Sequence, residues 1–205
     1  MSYIDTIPVN DATGEVRQMY ERQQEAWGYV PNYAKSFCHR PGVMERWGKL
    51  LAELKRPMDK RMFELITFAA AHELKHTSCS LAHGNALTPF FSKEEIVALA
   101  EQSSVAGITD AELEMMRFSR KVARDASTIV AADALRLKEH GYTDAQVFDI
   151  AAVSAGRAFF TKVLDAVGSM PDAGFMSLDE AFRTALTVGR PVSGDPDEVM
   201  NPLTP

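Results

Sequence analysis

The stretch from Glu64 to Leu87, ELITFAAAHELKHTSCSLAHGNAL, constrains this chain more than any other. It is rich in strong helix formers, and neither glycine nor proline interrupts it before Gly84. The pattern predicts a long helical run, with one break near His76 as the variant. His72, His76, Cys79 and His83 sit inside it. The last three recur at i, i+3 and i+7, which on a continuous helix sets them along one face. No other segment concentrates reactive side chains in this way.

The remainder also reads as helix. Thr13 to Gly28 carries an apolar face through Val16, Met19, Tyr20 and Trp27. A short helix over 31–38 and a longer one from Pro41 to just before Pro57 place proline in a first turn, where its missing N–H is harmless. A further helix begins between Met58 and Arg61 and leads into the central stretch. Ser92–Glu95, Thr109–Glu112, Thr143–Gln146 and Ser177–Glu180 fit the capping-box pattern ahead of apolar runs. Gly107, Gly141 and Gly168 mark turns or helix ends. Sustained strand alternation is absent, so the expected class is all-α, with about eight to ten helices. A single helical domain over 1–189 is expected. A Pro-rich tail over 190–205 follows, either loose or wrapped on a neighbouring subunit.

Composition narrows the function. With 205 residues, 46% of them hydrophobic, the chain can bury a sizeable core. Its formal charge of -6 and the absence of any basic run argue against a nucleic-acid partner. Two cysteines, Cys38 and Cys79, are too few for a disulfide scaffold. The opening MSYIDTIPVND is not a signal peptide, and no apolar run is long enough to span a membrane. The expectation is a cytoplasmic protein with no membrane partner.

A weak internal repeat appears at an offset of 51 residues: Phe91, Ser92, Glu95, Ile96 and Leu99 fall on Tyr142, Thr143, Gln146, Val147 and Ile150. At the same offset Glu64, His76, Cys79 and His83 fall on Met115, Ser127, Val130 and Ala134. The scaffold uses two similar helical units, but only the first carries titratable groups at these places. That asymmetry marks Glu64, His76, Cys79 and His83 as candidates for chemistry.

Two chemistries suit the set. A thiol at Cys79 with His83 one turn on can yield a thiolate nucleophile, which peroxides oxidise to a sulfenic acid. Alternatively His76, Cys79 and His83, with Glu64 or His72 as a fourth ligand, offer the donor types that zinc or iron accept. The bland readings are a small buried hydrophobe at Cys79, a packing role for His72, and structural roles for Cys38 and His39. Trp27, Trp47, Phe159 and Phe160 read as core or interface. Arg157, in an apolar helix, either pairs with a buried carboxylate or reaches a site or subunit boundary.

These residues resemble the alkylhydroperoxidase D-like superfamily, also called the carboxymuconolactone decarboxylase family, and within it the peroxidase-related group. The resemblance covers most of the chain, from IPVNDATGEVRQMYERQQEAWGYVPN and HRPGVMERW to HGYTDAQVFDIAAVSAGRAFFTKVLDAVG. The family motif is a Glu, eleven residues, a Cys-x-x-Cys, three residues and a His; here Glu64, Cys79 and His83 match it. His76 stands where the first cysteine would be, and Ser78 precedes Cys79. The resemblance implies an alkylhydroperoxidase D-like helical fold in homo-oligomers, commonly trimers or hexamers. It implies a second cysteine that attacks a hydroperoxide with help from the His. Without the first cysteine, Cys79 would work alone, with catalytic help from His83, Glu64 and His76 and an external thiol as reductant. The alternatives are acid–base or decarboxylase-like chemistry on His76, His83 and Glu64, metal-assisted or not, or a non-catalytic member.

Overall fold

The computed structural model describes residues 2–194. Among these there is no strand; ten α-helices and three short 3-10 helices account for the regular structure. The α-helices are α1 (Gly14–Trp27), α2 (Asn32–Ser36), α3 (Pro41–Lys55), α4 (Lys60–Glu73), α5 (Thr77–Ala86), α6 (Lys93–Ala100), α7 (Asp110–Asp125), α8 (Ala131–Glu139), α9 (Asp144–Ala166) and α10 (Glu180–Leu186). None of the described helices is long and apolar enough to cross a membrane.

Local chemistry explains most boundaries. The capping boxes at Ser92, Thr109 and Thr143 all form: each hydroxyl accepts the N–H three residues on, and each Glu or Gln returns a bond. The expected fourth, at Ser177, does not. Ser177 ends a 3-10 turn over Ala173–Ser177 and its hydroxyl donates to the Gly174 carbonyl. Asp179 caps α10 instead, accepting from the Phe182 N–H. Gly141 and Gly168 end α8 and α9 in the left-handed region, at φ +92° and +74°.

The central stretch is two helices, broken just before His76 as the variant reading allows; His76 caps α5, and Cys79 and His83 lie on it, so the three still share one side. α4 closes with Lys75 at φ +56°. The Lys75 N–H returns to the His72 carbonyl, and the His76 N–H to the Ala71 carbonyl. This is a Schellman ending with lysine where glycine is usual. The C-terminal segment holds the break. Gly189 donates its N–H to the Thr77 hydroxyl at 2.9 Å. A Cβ at Gly189 would stand 2.0 Å from the Lys75 carbonyl oxygen, so only glycine fits this contact. Arg190 then lies over the Tyr3 ring and Ser193 donates to the Pro171 carbonyl. The start of the expected tail therefore lies on its own chain; residues 195–205 are outside the described part.

α4 is the central helix. From Phe63 to Ala71 every residue is buried. It packs on α5, α7 and α9, and its interface with α7 is the most extensive in the molecule. The units α4–α5–α6 and α7–α8–α9 repeat one another, as the 51-residue offset predicts, except that α9 runs on for 23 residues where α6 has 8. The larger apolar core lies around these units. A second cluster, built from α1, α2 and α3 with Phe160 and Cys79, adjoins it at Leu51, which packs against both.

Candidate functional site

Cys79 is the third residue of α5, three positions beyond the N-cap. That position places the sulfur in the first turn, where the helix dipole favours negative charge. The cap is His76: its Nδ1 accepts the Cys79 N–H at 3.2 Å. His76 thus supports the backbone under Cys79. Burial opposes protonation of its ring, while the Cys79 sulfur and Asp165 favour it and prevail, raising its pKa.

Arg157, from the extension of α9, supplies the cation. Its Nη1 donates to the Cys79 sulfur at 3.4 Å. Arg157 is 5% exposed, its Nε is closed off without a partner, and among the described residues no carboxylate pairs with it. Its guanidinium lies 5.6 Å from the Phe160 ring centroid. Burial pushes the Cys79 thiol up, but Arg157 and His76 together more than offset it, and the pKa falls below the ordinary cysteine value.

Glu64 and His83 form a second pair. His83 Nδ1 and a Glu64 carboxylate oxygen are 2.6 Å apart, joining α5 to α4 across the core. Against that oxygen Nδ1 carries the proton, which leaves Nε2 as an acceptor. Burial and the nearby Arg157 charge lower the pKa of His83 despite Glu64. The ring is therefore neutral and able to move a proton. The hydrogen bond expected between Cys79 and His83 is not formed; the sulfur's partner is Arg157.

His76, Cys79, His83 and Arg157 line one cavity of about 220 Å³. Its remaining wall is largely aromatic, with Trp27, Tyr33, Trp47 and Phe160 among its members. Trp47 stacks on Phe160 with centroids 5.6 Å apart and lies against Gly156, where a Cβ would stand 3.1 Å from the indole. Asp172 also reaches the cavity and accepts the Asn32 N–H at 2.7 Å, anchoring the start of α2.

The metal alternative does not fit. Among the described residues no group of three His, Cys, Asp or Glu side chains is arranged to hold a metal ion. The Nδ1 atoms of His76 and His83 are committed to Cys79 and Glu64. His72 stands apart, bonded to the Ser80 hydroxyl and packed on Phe68. Cys38 is buried in the second cluster, its sulfur accepting the Ile7 N–H, and does not line the cavity. Trp47 and Phe160, read from sequence as core or interface, belong to the second core cluster and also line the cavity, as does Trp27; isolated aromatics carry no periodic signal that could have marked the cavity. Arg157 did carry a signal, as a charge in an apolar helix.

No protein-family model matches the chain, and no curated protein matches it. Solved structures do. A peroxidase-related protein from Ralstonia eutropha JMP134, described as an alkylhydroperoxidase AhpD core, superposes with a TM-score of 0.68 at 24% identity over 92% of this chain and 98% of that one. A peroxidase-related protein from Silicibacter sp. TM1040 gives 0.71 at 24% identity, over 86% and 94%. A cysteine-to-alanine variant of the debrominase Bmp8 in complex with 2,3,4-tribromopyrrole gives 0.65 at 14% identity, over 89% and 98%. The chain has the all-helical architecture of the alkylhydroperoxidase AhpD-like, peroxidase-related proteins.

Proposed function

We propose that this protein is an alkylhydroperoxidase-like thiol peroxidase that works with a single cysteine, Cys79, and is regenerated by an external thiol. The observation that carries the reading is the buried Arg157 cation, whose one hydrogen-bond partner among the described residues is the Cys79 sulfur. A buried charge needs a counter-charge, and a thiolate supplies it. The thiolate attacks the outer oxygen of a hydroperoxide and the O–O bond breaks. His83, held by Glu64, is the group we assign to the proton: its free Nε2 takes it from the hydroperoxide and passes it to the departing alkoxide, so that Cys79 gains the oxygen as a sulfenate and the alcohol leaves. Two equivalents of thiol then return Cys79 to the thiol, releasing water and a disulfide. The apolar, aromatic cavity suits an organic hydroperoxide better than hydrogen peroxide.

The test is consumption of cumene hydroperoxide with dithiothreitol as reductant. Cys79→Ser should lose roughly a hundred-fold or more of the turnover. Turnover that survives Cys79→Ser but not His83→Ala would overturn the reading in favour of acid–base chemistry on Glu64 and His83.

The aromatic cavity favours one second reading, reductive dehalogenation, in line with the debrominase among the similar structures. There an aryl C–Br and two thiols become an aryl C–H, a disulfide, bromide and a proton. Bromide release from a bromopyrrole, lost in Cys79→Ser, would decide for it.

We also propose that the chain forms homo-oligomers, trimers or hexamers, through the outer face of α9. Phe148 and Phe159, 69% and 45% exposed, lie on one stripe with Ala152 and Ala155 between them. Phe148→Glu should lower the mass measured by light scattering; an unchanged mass would remove this face from the interface.

A further inference from the structure

A peroxidase that has one cysteine in its cavity must keep the oxidised sulfur intact until an outside thiol arrives. No second thiol lines the cavity: Cys38 lies elsewhere, and His76 occupies the position three residues before Cys79. The guanidinium of Arg157 is nevertheless only partly used. Nη1 donates to the sulfur at 3.4 Å, Nε is closed off, and Nη2 has no hydrogen bond among the described residues. The two terminal nitrogens of a guanidinium present parallel donors in a rigid fork, which matches a pair of bonded acceptor atoms better than a single one. A lone sulfur fills half of that fork.

We infer that Arg157 is built to hold the oxidised form: Nη1 keeps the Cys79 sulfur, Nη2 takes the oxygen it gains, and the enzyme rests as a stabilised sulfenate. The step balances without any group beyond the peroxide. The thiolate and the hydroperoxide give the sulfenate and the alcohol, and one negative charge stays beside Arg157 throughout. The oxygen comes from the peroxide, whose O–O bond breaks. Sulfur is oxidised by two electrons and the peroxide reduced by two. Because the charge is conserved, oxidation leaves the Arg157 pairing intact and adds one charge-assisted hydrogen bond. The Phe160 ring over the guanidinium and the apolar wall keep competing acceptors few. Sulfenate thus becomes the storage state, and the rate of thiol entry sets turnover. This inference rests on the peroxidase reading of Cys79.

The test oxidises the full chain with one equivalent of cumene hydroperoxide, removes the excess, and follows surviving sulfenate in timed aliquots by dimedone trapping and intact mass. Lifetime is counted only after oxidation is complete, so slower oxidation in a variant does not enter. Wild-type sulfenate should persist, and Arg157→Lys should shorten its lifetime about ten-fold, because an ammonium keeps the charge but not the fork. Arg157→Gln, which also lacks the charge, should shorten it further. Lifetimes within two-fold of wild type in both variants would overturn the inference while leaving the peroxidase reading in place. So would a wild-type sulfenate that is gone within the mixing time, a result that needs no variant. Failure of any hydroperoxide to oxidise wild-type Cys79 would instead sink the peroxidase reading itself.

Discussion

The two repeated units, α4–α5–α6 and α7–α8–α9, share a helix pattern and put their polar groups to opposite uses. In the first, Glu64 and His83 bond across the core and Cys79 faces a cavity. In the second, the same places hold Met115, Ala134 and Val130. Its buried carboxylate is Asp133, which receives Lys121 at 2.6 Å, the Val130 N–H at 2.9 Å, and the guanidiniums of Arg136 and Arg117. Every acceptor there is satisfied by donors of the same unit, as a structural network should be. In the first unit the cation comes from outside it, from the part of α9 that has no counterpart in α6. The fold needs the helices in both units, and the reactive residues in only one.

Breaking the comparison at its centre should give the largest effect. Cys79→Ser should abolish hydroperoxide turnover and, by leaving the buried Arg157 without its counter-charge, lower the melting temperature, whereas Val130→Ser, its exposed counterpart, should change neither. A steady-state assay beside a thermal melt separates the two. Next comes Asp133→Asn, which should cost about 2–3 kcal/mol of stability by urea titration and leave the Cys79 reaction alone. The Lys121 hydrogen bond and the Val130 N–H hold the Asp133 carboxyl down at about 2. Its folded pKa is depressed, so its stabilisation is complete above about pH 4 and is lost as pH falls toward 2. Acid titration of wild type against Asp133→Asn should show that loss only in the wild type.

Smaller effects sharpen the first unit. Glu64→Gln should slow turnover by roughly ten-fold, since His83 keeps a hydrogen-bond partner but loses the carboxylate that fixes its Nδ1–H tautomer and raises its basicity. Alkylation of Cys79 by iodoacetamide should rise with pH through a midpoint below about 8.5, the ordinary thiol value, and Arg157→Gln should move that midpoint up. A midpoint unmoved by Arg157→Gln would deny Arg157 its role as counter-ion. Smallest is Gly189→Ala. Its Cβ would collide with the Lys75 carbonyl, so the segment must lift from the α4–α5 break, with a modest fall in melting temperature.

Much of this was legible in the sequence where the cause is local. Three capping boxes, the glycine helix ends and the offset of the two units follow from residues close together in the chain. The break at Lys75 was visible only as an option, because the usual glycine is missing and the contact that holds it comes from Gly189, more than a hundred residues away. The hydroxyl of Ser177 was spent on a 3-10 turn that nothing in its spacing announces. His76, Cys79 and His83 were marked by clustering and Glu64 by the asymmetry of the repeat; the first three line the cavity, and Glu64 is bound to His83. Their mutual pairing was misjudged, because i, i+4 spacing states proximity along a helix and says nothing of a cation arriving from α9.

The most direct test of the central claim is mass spectrometry of the whole protein after brief exposure to one equivalent of an organic hydroperoxide with a sulfenic-acid trap present. The two cysteines serve as each other's control, since Cys79 faces a cavity and Arg157 while Cys38 is buried away from both. Rapid trapping at Cys79 alone, reversed when thiol is added before the trap, is the predicted result. Trapping at neither cysteine, or at Cys38 in preference, would contradict it.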